Sequence, residues 1–232
     1  MFGGETLELR AIFDGIAVTN LRTPAVSIAA TSPLLTRFTR PIELVVFGAG
    51  PQAVGHVEAV QACDSVELAD VTYVVRRPDQ AREQLPPHAT VVSAEDPDVT
   101  ARLERAHVVV CATSARTPLF DSAYLADSTV VIAVGSHEPE ARELDGPLMA
   151  RAHVMVEDVR TALREAGDVV LAMREGHLHA DELIPMADVV RGTRTLPPER
   201  TVVFKSVGMS WQDLVVAEAL IEQHQPGASS QE

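Results

Sequence analysis

Lysine is nearly missing from this chain. Of its 19 basic residues only Lys205 is a lysine, and the others are arginines. A mechanism needing two lysines is therefore excluded within this sequence. Aromatic residues make up only 4%, so alanine, valine and leucine must fill the core. The two cysteines, Cys63 and Cys111, build neither a disulfide framework nor a metal knuckle. No apolar run reaches the length of a membrane span, and the opening residues Met1 to Glu5 lack the basic and apolar regions of a secretory signal. A reduced cytoplasmic protein is expected. Positive charge is also scarce: the formal net charge is −14, which disfavours nucleic acid and anionic membranes as partners. An anionic cofactor is not disfavoured, because clustered arginines act locally.

What is present suffices for a large core, since 46% of 232 residues are hydrophobic. The chain centres on one stretch. The apolar run Ile42–Phe47 reads as a buried strand that breaks at Gly48 and Gly50 and restarts as a helix at Pro51. Gly48 permits the tight turn, Gly50 lets a pyrophosphate approach the backbone, and Ala53, small like the third glycine of a dinucleotide fingerprint that it replaces, lets helix and strand pack closely. Pro51 suits a first helical turn, where its missing N–H costs nothing. The N–H groups of that helix then face the phosphates.

Along the chain, Leu7–Phe13 reads as a strand ended by Asp14-Gly15, followed by a helix from about Ala17 to Leu35 that Pro24 kinks or starts. Strands are expected at 42–47, 71–75, 89–92, 107–111, 129–134 and 153–156. Helices are expected near 52–62, 79–84, 97–105, 121–125 and 145–150. Short apolar runs separated by helical segments imply an α/β fold: a doubly wound parallel-sheet (Rossmann) nucleotide-binding domain. Residues 157–192 read as consecutive helices broken near Gly167 and Gly176, and 193–200 as a linker. A strand at Val202–Phe204 and a helix from Ser210 to about Glu222 follow, with Leu214, Val215, Ala217, Ala219 and Leu220 on its buried side. Residues 226–232 read as a disordered polar tail.

Six segments occur together in this order: 21–27 (Leu-Arg-Thr-Pro-Ala-Val-Ser), 47–53 (Phe-Gly-Ala-Gly-Pro-Gln-Ala), 133–139 (Ala-Val-Gly-Ser-His-Glu-Pro), 142–145 (Arg-Glu-Leu-Asp), 165–168 (Glu-Ala-Gly-Asp) and 201–208 (Thr-Val-Val-Phe-Lys-Ser-Val-Gly). With them the chain resembles the ornithine cyclodeaminase/mu-crystallin family over roughly residues 5–225. The resemblance implies NAD(P)-dependent chemistry on small amino or imino acids: cyclisation of ornithine, reduction of imines or oxidation of alanine. It also divides the chain. Residues 1–34 become part of a substrate and dimerisation domain with its connecting helix, 35–200 the dinucleotide-binding domain, and 201–225 a strand and helix returning to the first.

Two departures from the family pattern stand out. Members usually carry a further segment ahead of the Phe2–Asp14 equivalent, with an arginine and a lysine that clamp the substrate carboxylate. The chain is thus either a piece of a longer protein or a shortened one with an altered substrate site. A homodimer is expected if the missing region exists elsewhere; without it, the Leu7–Phe13 strand would be an unpaired, self-associating edge. The second departure is His137, where the cyclodeaminases place an aspartate as acid/base. An imidazole of pKa roughly 6.5 can donate a proton to an imine nitrogen as hydride arrives. That favours a reductase or dehydrogenase; ornithine cyclisation, or cofactor binding without catalysis, is the alternative.

Arg22 is implied to bind the substrate carboxylate, which a guanidinium fork suits. Val207 is implied to lie on the substrate, and His137 to be catalytic. Gly48, Gly50, Pro51, Gln52, Thr113, Val134, Gly135, Ser136 and Ser206 are expected around the cofactor. Arg76 and Arg77 end the second strand, where an acidic residue would select NAD; two arginines suit a 2′-phosphate, so NADP is favoured over NAD. Lys205 is expected to be a solvated charge, Trp211 a core or interface residue, and Cys111 part of the core. His177 and His179, two residues apart, are read as loop histidines, so no metal is expected.

Overall fold

The computed structural model describes residues 1–224, and the expected tail at 226–232 lies outside them. Eight parallel strands form one sheet: β1 (Ile42–Phe47), β2 (Leu68–Val75), β3 (Thr90–Ser93), β4 (Val108–Cys111), β5 (Val130–Ala133), β6 (His153–Val156), β7 (Ile184–Pro185) and β8 (Val202–Lys205). Their order across the sheet is β3-β2-β1-β4-β5-β8-β6-β7. The chain winds outward from β1 through β2 to β3, then crosses back to β4 on the other flank. The crevice between the carboxyl ends of β1 and β4 is therefore the topological switch point, where open α/β sheets bind ligands.

The strands read as unbroken apolar runs because both sheet faces are covered. Every residue of β4, β5 and β8 is buried. One core layer gathers Phe47, Val109, Val131, Leu148 and Val203, and the opposite one Val46, Val110, Ile132, Met155 and Phe204. Cys111 belongs to the first, and complete burial raises its thiol pKa well above the ordinary value.

The helices are α1 (Gly15–Leu35), α2 (Pro51–Gln61), α3 (Pro78–Arg82), α4 (Asp98–Arg105), α5 (Gly146–Arg151), α6 (Val159–Glu165), α7 (Gly167–Arg174), α8 (Met186–Val190) and α9 (Ser210–His224). The expected helix at 121–125 is a single 3₁₀ turn, Ser122–Tyr124. The Asp14 carboxylate starts α1 by accepting from the backbone N–H groups of Ile16 and Ala17. Pro24 therefore lies inside α1, where it packs against α2: a Cβ added to Gly55 would come within 3.0 Å of its ring.

Three expectations fail. Leu7–Phe13 is not a strand, since its one pairing is an isolated antiparallel bridge between Phe2 and Leu9. The segment folds back on itself through a positive φ at Leu7, and its Leu7, Leu9 and Ile12 side chains stay exposed. Residues 157–192 are not all helical, because the short β7 joins the sheet edge beside β6. On α9, Leu214, Val215 and Ala219 are exposed and Gln212 is buried with Ala217, so an apolar run misstates which side packs. Trp211 is likewise 48% exposed and not in the core of the chain.

Candidate functional site

Two adjoining clefts open along the carboxyl edge of the sheet. The larger, about 700 Å³, runs over the switch point and is lined by Gly48, Gly50, Arg76, Arg77, Gln80, Gln84 and Thr113 among others. The smaller, about 460 Å³, is lined by Arg22, Gln52, Val134, Gly135, His137, Ser206, Val207 and Gly208. Ala112, Thr113 and Ser114, which follow β4, form a wall common to both.

The glycine turn shapes the larger cleft. Gly48 has φ +113°, and a Cβ there would lie 2.5 Å from the Ala112 carbonyl, so the β1 and β4 ends approach closely only with glycine. At Gly50 an added Cβ meets nothing within 4 Å, which leaves open space over the start of α2. No side chain caps that helix, and Pro51 occupies its first turn. An uncapped helix start under an open glycine fits a pyrophosphate. Arg76 and Arg77, both exposed, stand at one end of the cleft, while Asp79 is not on its lining.

Arg22, on α1, is oriented by α9: its Nε donates to Asp213 Oδ1 at 3.1 Å and its Nη1 to Gln212 Oε1 at 3.4 Å. The guanidinium also lies against Gly208, where a Cβ would come within 2.8 Å of both terminal nitrogens. His137 is exposed on the loop after β5, across the same cleft. Gln52, on α2, donates to the Thr19 carbonyl at 3.2 Å and to Asn20 Oδ1 at 3.0 Å, tying α2 to α1 at the cleft wall.

Beneath the common wall lies a buried ionic network. Glu143 accepts through one oxygen from Thr113 N–H and Oγ1, both at 2.8 Å, and through the other from Gly135 N–H at 2.7 Å. Asp168, at the start of α7, accepts from the N–H groups of Glu143 and Leu144, each at 2.8 Å. Lys205, at the end of β8, donates to the Ser136 carbonyl at 2.5 Å and places Nζ 3.1 Å from Asp168 Oδ2. Burial pushes the Glu143 carboxyl pKa up, while Lys205 and the Thr113 N–H draw it back. These groups fix the two loops that meet where the clefts join.

The structure thus gathers most of the expected residues along the two clefts. Gly48, Gly50, Arg76, Arg77 and Thr113 line the larger cleft; Arg22, Gln52, Thr113, Val134, Gly135, His137, Ser206 and Val207 line the smaller. Pro51 lies outside both linings and acts as the first residue of α2. Ser136 is buried and lies outside both linings, with its hydroxyl donating to the Ala141 carbonyl. The Ser206 hydroxyl is also occupied, donating to Glu157 Oε1 at 2.9 Å. Lys205, expected in solvent, is 1% exposed, because β8 lies between β5 and β6 and has no free face. Glu143, Asp168, Glu157 and Gln212 had no assigned role; their signal was the position of the first two inside the 142–145 and 165–168 segments. His177 packs against Gly146, and the backbone N–H of His179 donates to Glu182. Among the described residues no group of three or more His, Cys, Asp or Glu could hold a metal. No described helix is long and apolar enough to cross a membrane.

Fold and clefts together define a nucleotide-binding α/β protein with a second, smaller site beside the dinucleotide crevice. The sequence model of the ornithine cyclodeaminase/mu-crystallin family matches residues 3–227, and the chain belongs to that family. It is 31% identical to a Δ1-pyrroline-2-carboxylate reductase of Colwellia psychrerythraea, over 96% of this chain and 71% of that protein. It is also 31% identical to the ketimine reductase mu-crystallin of Mus musculus, over 98% of this chain and 69% of that protein. Among solved structures, a Thermococcus litoralis Δ1-pyrroline-2-carboxylate reductase in complex with NADH and L-proline shares the fold, with TM-score 0.84 at 24% identity over 98% of this chain and 72% of that one. A probable ornithine cyclodeaminase from Bordetella pertussis superposes with TM-score 0.77 at 27% identity, over 98% of this chain and 74% of that one.

Proposed function

We propose that the chain is an NAD(P)H-dependent oxidoreductase that reduces a small cyclic imino acid, of the Δ1-pyrroline-2-carboxylate or ketimine class. The observation that carries this reading is the meeting of the two clefts at Thr113, with Arg22 and His137 both on the smaller one. A dinucleotide lying over Gly48 and Gly50 would supply a hydride at that junction. Arg22 would hold the substrate carboxylate through its terminal nitrogens, since Nε is committed to Asp213. His137 would hold the proton that the imine nitrogen takes up as the C=N bond is reduced to an amine. Glu143 holds the Thr113 and Gly135 backbone in place and remains out of contact with the reacting atoms. The names of the pyrroline-2-carboxylate and ketimine reductase relatives support the substrate class.

Arg76 and Arg77 on the cleft, with Asp79 off it, favour NADP over NAD. A homodimer is part of the same reading. Phe2, Leu7, Leu9, Ile12, Ile16 and Leu21 from the first 21 residues are exposed, as are Trp211, Leu214 and Val215 on α9, which packs on α1. In this division α1 and α9 belong to the substrate side of the molecule.

The test is NADPH oxidation with pyrroline-2-carboxylate by the purified chain. His137→Ala is expected to lower kcat by about 10²-fold or more. Arg22→Ala is expected to raise KM by about 10- to 100-fold, the worth of one charged hydrogen-bonding group. Turnover surviving both substitutions, or no turnover by the unaltered protein with any cyclic imino acid, overturns the reading.

A further inference from the structure

At the end of β6, Glu157 sits outside the lining of either cleft, yet its carboxylate is saturated with donors, three of them from Ser206, Val207 and Gly208 on the wall of the smaller one. Oε1 accepts from Ser206 Oγ at 2.9 Å and from Gln212 Nε2 at 2.6 Å. Oε2 accepts from the backbone N–H groups of Val207, at 3.1 Å, and Gly208, at 2.9 Å. All four lone-pair sites of an ionised carboxylate are used, so the group works as an anchor and has no capacity left for a ligand. From its place at the end of β6 it joins two further parts of the fold, the turn after β8 and the first turn of α9.

The contacts continue to Arg22. Gln212, held by Glu157 through its amide nitrogen, turns its oxygen to accept from Met209 N–H at 3.2 Å and Arg22 Nη1 at 3.4 Å. The amide orientation follows from chemistry, because the Glu157 carboxylate can only accept and Arg22 can only donate. Gly208, whose backbone Glu157 also fixes, is the surface against which the guanidinium lies. One carboxylate thus sets both the support under Arg22 and the side-chain oxygen that rotates it. With Nε on Asp213 and one Nη1 hydrogen on Gln212, the end-on pair of terminal nitrogens is the fork left for a ligand carboxylate.

We infer that Glu157 is a positioning residue for carboxylate recognition: it acts through Gln212 and the Val207–Gly208 turn to aim Arg22 into the smaller cleft. The inference rests on the imino-acid reading of that cleft and adds the residue on which its affinity depends. A neutral amide cannot replace Glu157. Glutamine offers one acceptor oxygen, and its NH₂ would face donors in whichever orientation it adopts.

The experiment compares Glu157→Gln and Gln212→Met with the unaltered chain. It measures KM and kcat for pyrroline-2-carboxylate, NADPH binding by fluorescence, and thermal unfolding. Glu157→Gln is expected to raise KM by about 10- to 100-fold, since small misplacements of a positioning group cost on this order. NADPH affinity should stay within about twofold, and kcat should fall less than KM rises, the pattern of a lost binding contact. Gln212→Met keeps volume and removes only the link to Arg22; it should raise KM by at least about threefold. If Glu157→Gln does not fold, the Gln212→Met result decides alone. Unchanged KM in the variant measured, or loss of NADPH binding in parallel with KM, overturns the assignment while the imino-acid reading stands. An unaltered chain that neither turns over nor binds the imino acid overturns both.

Discussion

Lys205 Nζ lies 3.1 Å from the Asp168 carboxylate with both side chains withdrawn from solvent. The chain's one lysine is therefore a buried counter-charge and no part of a substrate clamp. Its charge also acts on the buried Glu143 carboxyl, whose raised pKa it draws back down. Lys205→Met removes the cation and leaves Asp168 uncompensated in the interior. Breaking a buried pair in this way costs about 3–5 kcal/mol, which urea denaturation would resolve. A change under about 1 kcal/mol would show that the pair carries no such weight.

The two glycines of the turn should separate fold from ligand. Gly48→Ala puts a Cβ 2.5 Å from the Ala112 carbonyl at a φ of +113°, and is expected to destabilise by about 1–3 kcal/mol. Gly50→Ala meets nothing within 4 Å, so stability should shift by less than about 0.5 kcal/mol. The new methyl group would fill the space above α2, so NADPH affinity should fall by about tenfold or more, equal to at least about 1.4 kcal/mol. Thermal unfolding and fluorescence titration of both variants check the contrast.

His56 is buried between α2 and α1, donating through Nδ1 to the Gln52 carbonyl at 2.7 Å with Nε2 2.9 Å from Ser27 Oγ. Burial lowers its pKa from 6.5 to about 4. The unfolded chain takes up this proton near 6.5 and the folded one only near 4, so its stability contribution is present above pH 6.5 and lost as pH falls toward 4. The loss should reach about 3 kcal/mol. Denaturation midpoints measured across that range should fall more steeply for the unaltered chain than for His56→Gln. Parallel curves would remove His56 as the cause.

Replacing Arg76 and Arg77 together by alanine should weaken NADPH binding by about 10- to 100-fold, as expected for losing charged hydrogen bonds to a phosphate. NADH binding should hardly change, because it lacks the 2′-phosphate. Equal losses for both cofactors would place these arginines elsewhere than on the ribose.

The glycine turn was legible because strand, turn and helix are contiguous in sequence, and their local rules agree at Gly48, Gly50 and Pro51. Runs such as Val108–Cys111 were legible because a strand covered on both faces has no polar alternation to obscure it. Leu7–Phe13 was misread for the converse reason. Apolar and β-prone residues predict a strand only if a neighbouring edge is available, and β-propensity reflects that context. The exposed side of α9 failed similarly, since a helix apolar on several faces does not declare which one packs.

Composition and pattern were enough to indicate a parallel α/β nucleotide-binding fold and its phosphate turn, both consequences of short-range order, while the family was carried by the resemblance of six short segments. They could not say that Lys205 is buried. That follows from β8 entering the sheet between β5 and β6, a neighbour relation set by long-range packing. Nor could they say that Glu157 holds Gln212 and the Val207–Gly208 turn, or that Gln212 in turn holds Arg22, 190 residues away in the chain. Hydrogen bonds between groups so far apart in sequence leave no periodicity to read, and exist only once the sheet has brought their strand ends to one edge.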